Sequence, residues 1–331
     1  MKYSYMSFST PTFTLAQMLE AARRYGYDGI EPRLDAGHAH GVEVSATPDQ
    51  RKAVRQQAAA SGVSLACLAT SLTYADPAAT AAMVQQTRER IDLAADVGAP
   101  AIRVFGGAIK GGLDRGAAID LVGRSLGEVA EHAARRGVAV CMETHDSWCD
   151  PSHVAAVMRK AGHPAIAVNW DIMHPVRTAR KTIDESFEAL KPWIRHLHVH
   201  DGTIAEPLTM QPIGQGAIDH RRAIELLKTI RYAGFISGEW IGWEPAEVHL
   251  PREVATLRRY ESEGCPSDGP RQRLAGEPSA ATSRPASPSP WGRTARPRPA
   301  PHTPIPRPAA GARTPRQQER TCHSERSAAP Q

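Results

Sequence analysis

The sequence predicts an α/β fold, a parallel (β/α)8 barrel, and three observations predict it. Short apolar or β-branched runs recur eight times in the first 264 residues, at 2–8, 29–33, 63–70, 101–105, 138–144, 166–171, 195–200 and 235–240. Helical patterns with start and stop signals lie between them. Eight alternating units over about 250 residues close into a barrel with no edge strand left over, which a doubly wound sheet does not do.

Taken in order, each helix carries its own punctuation. Thr14 with Gln17 forms a capping box, Leu15, Met18, Leu19 and Ala22 share one face, and Gly26 stops the first helix. Thr47 and Pro48 open the second, which closes at Gly62. The third, 78–97, and the fourth, 117–136, end at Gly98 and Gly137 just before the next strand. The seventh, 219–230, is followed by Gly234.

Four side chains that favour metals, Glu143, Asp171, His198 and Glu239, stand at the ends of strands five to eight, 28, 27 and 41 residues apart. One strand-plus-helix unit takes roughly 30 residues, so four successive strand ends present them. Side chains alternate faces along a strand, which puts Cys141 with Glu143, Asn169 with Asp171, and Ser237 with Glu239. Each candidate ends its series at the carboxyl end of its strand, where a barrel's functional rim lies. In the seventh strand His196, His198 and His200 all point the same way; position favours His198 as ligand, with His200 next. Singly, a strand-end carboxylate is more often a helix cap or a salt-bridge partner. Glu239, however, lies deep in an apolar segment where an unpaired charge costs several kcal/mol, so a cation partner is expected.

Composition divides the chain. From Cys265 to the end there are 14 of the 27 prolines, 11 Arg, no Lys and 4 acidic residues, with Pro/Ala/Ser/Arg stretches that bury too little to offset their ordering entropy. The expected organisation is a barrel over 1–262 and a low-complexity, disordered tail over 263–331. The tail carries 11 − 4 = +7 of the net +5, leaving the rest at −2, so the overall basicity says nothing about substrate. With Trp291 its only aromatic, the tail is not expected to bind nucleic acid specifically. Five cysteines without a C-x-x-C pair fit reduced thiols. No signal peptide or apolar run of about 18 residues is present. The expectation is a cytoplasmic protein with a small-molecule substrate and no membrane association.

Other positions invite functional and ordinary readings alike. His174, three residues past Asp171, is either a substrate contact or a solvated loop histidine, and His145 and Trp148 have similar status. The Gly106–Gly112 loop could cradle a phosphate, but a flexible loop explains it equally well. His38 and His40, in a loop after Glu31-Pro32-Arg33, read as surface residues.

The ordered set Met142-Glu143-Thr144-His145, Asn169-Trp170-Asp171-Ile172-Met173-His174-Pro175, His196-Leu197-His198-Val199-His200-Asp201 and Ile213-Gly214-Gln215-Gly216-Ala217-Ile218-Asp219, then 234–239, resembles the xylose isomerase-like TIM-barrel superfamily. More narrowly it resembles the sugar phosphate isomerase/epimerase group, over about residues 1–260. The resemblance implies one divalent ion held by Glu143, Asp171, His198 and Glu239, and places His174 near substrate or metal. The chain departs from the family in two places. His200 stands where a lysine is frequent, and Asp201-Gly202-Thr203-Ile204 stands where ketose 3-epimerases carry an arginine. Endonuclease IV, a related branch, needs three zinc ions and histidines that are missing after strands three, four and seven.

Three carboxylates and one imidazole suit Mn²⁺ or Mg²⁺ first, with Co²⁺ or Zn²⁺ as substitutes. The expected activity is isomerisation or epimerisation of a small sugar or other polyhydroxylated carbonyl compound through a metal-stabilised enediolate. Glu143 and Glu239 would be the catalytic acid and base, and His145, His174, His200 and Trp240 the substrate contacts. A metal-dependent dehydratase of the inosose or dehydroshikimate type is the alternative, because the same intermediate can expel a β-hydroxyl. A homo-oligomer is an expectation from the resemblance alone.

Overall fold

A computed structural model describes residues 1–263, so the tail expected over 263–331 lies, from residue 264 on, outside the described residues. Eleven strands and nine α-helices follow one another along the described chain. The strands are β1 (Lys2–Met6), β2 (Gly29–Glu31), β3 (Ser64–Leu65), β4 (Leu68–Ala69), β5 (Ala101–Val104) and β6 (Ala139–Glu143). β7 (Ile166–Asp171), β8 (Ile194–Val199), β9 (Asp201–Gly202), β10 (Met210–Gln211) and β11 (Phe235–Gly238) complete them. Nine of these form one parallel sheet in the order β3-β2-β1-β11-β8-β7-β6-β5-β4.

The two ends of that order are halves of one segment. The sequence predicts a single third strand over 63–70, whereas the structure splits it into β3, paired with β2, and β4, paired with β5. The split has a local cause. Ala66 N donates to Ile30 O at 2.8 Å and Ala69 N to Pro32 O at 3.0 Å, so three steps on one strand face two on the other. The extra residue falls where Pro32 has no N–H to give. A bridge between Arg33 and Ala69 resumes the ladder beyond it, and the barrel closes through this segment.

The helices are α1 (Leu15–Tyr25), α2 (Pro48–Ser61), α3 (Thr80–Val97), α4 (Arg115–Arg136), α5 (Pro151–Ala161), α6 (Met173–Arg177), α7 (Ile183–Leu190), α8 (His220–Thr229) and α9 (Ala246–Ser262). α1 realises its local signals: Thr14 and Gln17 form the capping box, Leu15, Met18, Leu19 and Ala22 are buried, and Gly26 ends it at φ 83°. Asp114 and Asp219, one residue before α4 and α8, accept backbone N–H groups as caps. No described helix is long and apolar enough to cross a membrane.

Inside the barrel, Cys67, Ala101, Cys141 and Ala167 form a small-residue layer. Cys141 and Ala167 lie below Glu143 and Asp171 on the inward face of their strands, so the floor of the site is apolar and its rim is charged. A register shift between β7 and β8 pairs Val168 with Ile194 but Asn169 with His196, leaving Arg195 as the extra, exposed residue. From there His196 and His198 point inward, while Leu197 and Val199 join the apolar core.

Candidate metal centre at the barrel mouth

Four strand ends each deliver one candidate ligand. Glu143 and Asp171 are the last residues of β6 and β7, His198 is the penultimate residue of β8, and Glu239 follows β11 directly. Their ligand atoms all lie within 4.8 Å of one another, and all four residues are buried. His198 Nδ1 is 2.8 Å from Glu143 Oε1 and 3.5 Å from Glu239 Oε2. Asp171 uses one oxygen locally: Oδ1 accepts the N–H groups of Met173 at 2.8 Å and His174 at 3.2 Å, capping the short α6. Its Oδ2 is buried without a hydrogen bond, as is Glu143 Oε2. Two buried carboxylate oxygens without an aligned hydrogen bond, though each has a basic side chain close by, beside an imidazole and a third carboxylate make a donor set that fits a hard divalent cation.

The neighbouring histidines sit close by. His200 Nε2 is 3.0 Å from Asp171 Oδ2 but poorly aligned for a hydrogen bond, and its Nδ1 is 3.1 Å from the Glu239 carbonyl. His174 Nε2 is 3.8 Å from the same Asp171 oxygen. The His145 ring packs 4.3 Å from that of His174 and 4.9 Å from Phe105. These three imidazoles form one wall beside the ligands. Trp240, expected as a substrate contact, packs against α9. Its ring, 1% exposed, lies over Gly238 and 5.3 Å from the ring of His249.

Two site residues had escaped the sequence reading. Arg103, in the middle of β5, is 1% exposed with Nε 3.2 Å from Glu143 Oε2. Its guanidinium also donates to Thr70 O at 2.8 Å and stacks 4.0 Å over the Phe105 ring. Glu31, at the end of β2, accepts from His196 Nε2 at 2.8 Å and His198 Nε2 at 3.0 Å. Each had a signal: an arginine inside an apolar run, and a fifth carboxylate ending a strand.

His40 also differs from expectation. It is 4% exposed and staples its loop, with Nε2 3.2 Å from Arg33 O and Nδ1 accepting from Val42 N at 3.0 Å. Trp148 is fully buried, and its Nε1 donates to Gly107 O at 2.8 Å. The glycine-rich loop therefore packs around an indole, and Gly106 has no room for a side chain beside it. Asp201 is a structural anchor: its carboxylate accepts the N–H groups of Gly202, Gly214, Gly216 and Ile218 at 2.8–3.1 Å.

Electrostatics ties the cluster together. Burial pushes Asp171 up, but His200, His174 and His198 outweigh it and hold the carboxyl below the usual range. Glu239 is likewise opposed by burial yet held down at about 2 by His198, His200 and Arg103. Burial pulls His198 down, but Glu31, Glu143 and Glu239 raise it well above the ordinary imidazole value. Against the same burial penalty, Asp171 and Glu239 lift His200 to about 9. The raised imidazoles and the lowered carboxylates thus stabilise one another's charged forms.

The opposite end of β7 and β8 holds a cavity of about 430 Å³ lined by Met158, His163, Trp193 and Arg195 among others. No carboxylate lines it, so it has no counterpart to the ligand set at the mouth.

The sequence profile described as xylose isomerase-like TIM barrel matches residues 19–260. The chain belongs to that family. Among curated relatives, it is 23% identical over 152 residues to a 3-dehydroshikimate dehydratase of Bacillus anthracis, a match covering 40% of this chain and 53% of that protein. The chain thus matches about half the length of this relative. Among solved structures, a D-psicose 3-epimerase crystallised in the presence of D-fructose superposes with TM-score 0.66 at 14% identity, over 80% of this chain and all of that one. A xylose isomerase-like TIM barrel protein from Mycobacterium smegmatis in complex with magnesium gives TM-score 0.62 at 18% identity, over 79% and 97%. These structural likenesses show the fold. The relatives of this family barrel include epimerases and a dehydratase, all enzymes.

Proposed function

We propose that this chain is a divalent-metal-dependent isomerase or epimerase acting on a small sugar or other polyhydroxylated carbonyl compound by proton transfer through an enediolate. The observation that carries the reading is the convergence of Glu143, Asp171, His198 and Glu239 within 4.8 Å in a buried mouth. Mn²⁺ or Mg²⁺ suits the three carboxylates and one imidazole best, with Co²⁺ or Zn²⁺ able to substitute. A bound divalent ion supplies Lewis-acid polarisation of a carbonyl and its adjacent hydroxyl, worth several kcal/mol.

The chain's own residues do the rest. Glu143 and Glu239 come from β6 and the end of β11, so a substrate over the ligands has a carboxylate on either side. One removes the carbon-bound proton, and the other returns it to a different face or carbon. Arg103, with Nε 3.2 Å from Glu143 Oε2, holds that carboxylate in place. His145, His174 and His200 present imidazole edges to the substrate hydroxyls. Burial of the four ligands limits water around a reactive intermediate.

A second reading, a metal-dependent dehydratase, is favoured by two departures. Asp201-Gly202-Thr203-Ile204 offers no arginine, and His200 occupies the position of the frequent lysine. The dehydratase name of the curated relative points the same way. Incubation of the Mn²⁺-loaded protein with candidate ketoses in D₂O separates the two. Deuterium appearing next to the carbonyl, with epimer or isomer formed, is the expected result. An enone chromophore as sole product would replace the proposal with the lyase.

A further inference from the structure

Glu31 lies behind the four ligands, on the opposite side of His198 from Glu143 and Glu239. It is fully buried at the end of β2, and both its oxygens are engaged by imidazoles: Oε2 by His196 Nε2 at 2.8 Å, Oε1 by His198 Nε2 at 3.0 Å. His198 is thereby held at both ring nitrogens, with Nδ1 turned to Glu143 Oε1 at 2.8 Å and Glu239 Oε2 at 3.5 Å. Carboxylates only accept hydrogen bonds, so with carboxylates on both sides both ring nitrogens donate; a cation held by the four ligands would take the place of the Nδ1 proton and leave the Nε2 proton to Glu31.

We propose that Glu31 is the positioning residue of the centre: it fixes His198 in the Nε2–H tautomer, so that Nδ1 alone presents a lone pair to the cation. The inference rests on the reading of Glu143, Asp171, His198 and Glu239 as a cation site. A free imidazole favours neither orientation strongly, and rotation about its bonds to the strand would turn the other nitrogen inward. An acceptor fixed on the far side removes both freedoms and increases the electron density that the ring offers as a ligand. His196 holds the second oxygen of Glu31, so the carboxylate cannot swing away from His198. β2 reaches β8 across the barrel interior, not along the sheet, where β1 and β11 intervene. Closure of the barrel is therefore what brings this acceptor to the imidazole.

The test is Mn²⁺ binding by calorimetry to wild-type protein and to Glu31→Gln, each checked for cooperative thermal unfolding. Affinity about 10- to 100-fold weaker in the folded variant is expected, the range usual for loss of a group that orients a ligand. Equal affinities in two folded proteins would overturn the inference while leaving the cation site standing. A wild-type protein that binds no Mn²⁺ would remove both. If Glu31→Gln does not fold, ¹⁵N–¹H correlation spectra of His198 in Zn²⁺-loaded wild-type protein decide the matter. A proton on Nε2 supports the inference, and a proton on Nδ1 contradicts it.

Discussion

Replacing Glu239 by Gln is expected to lower kcat by about 10²- to 10⁴-fold, the range for loss of a positioned general acid or base, while the chain still folds. Glu143→Gln is expected to match it in activity but not in stability. The amide nitrogen or oxygen left at position 143 carries no charge, and Arg103 Nε, 3.2 Å away and 1% exposed, would lose its anion. Removing one partner of a buried pair costs about 3 kcal/mol or more. Stacking on Phe105 and the bond to Thr70 O soften that loss. At Glu239 the stronger positive influences are His198 and His200, which can shed a proton when the carboxylate is gone, whereas Arg103 acts on it less and pairs directly with Glu143. Turnover measured alongside thermal unfolding of both variants checks this. Unchanged turnover in both would remove the proposed roles, and equal stability would remove the asymmetry.

Cation affinity is expected to rise with pH. In the metal-free protein burial alone would strip His198 of its proton, yet Glu31, Glu143 and Glu239 keep it well above the ordinary imidazole value. A ligating imidazole must be neutral at the nitrogen it offers, so the cation displaces at least one proton at pH 7. Affinity should therefore increase about tenfold per pH unit until the pH passes the raised value, then level off. The sign for folding is opposite. His200 and His198 bind protons more tightly folded than unfolded, so the stability they contribute is full below about 6.5. For His200 it is lost as the pH rises through about 9. Calorimetry in buffers of different ionisation enthalpy reads the proton count. Metal binding independent of pH between 6 and 8 would contradict this account.

The features that the sequence revealed are those set by local chemistry. α1 is legible because Thr14, Gln17 and Gly26 specify its ends without help from the rest of the chain. The convergence of Glu143, Asp171, His198 and Glu239 is legible because the side-chain period of two applies within each strand alone. The packing of Trp240 was not legible because its neighbour His249 belongs to a later element, α9. Arg103 and Glu31 were missed because their partners lie far along the chain: Glu31 and His198 are 167 residues apart. The local marks, an arginine inside an apolar run and a carboxylate ending a strand, do not say which partner each one meets. The split of the third strand into β3 and β4 is likewise a product of closure, where Pro32 meets a neighbour that only the barrel supplies. His40 looked like a surface residue because its staple to Arg33 O depends on how the loop folds back.

Diffraction at the manganese absorption edge from crystals grown with Mn²⁺ tests the central claim most directly. The account predicts one anomalous peak per chain at the barrel mouth, ligated by Glu143, Asp171, His198 and Glu239 together, with His198 binding through Nδ1. No peak there, or an ion held elsewhere while Arg103 and the imidazolium groups keep the carboxylates paired, would contradict it.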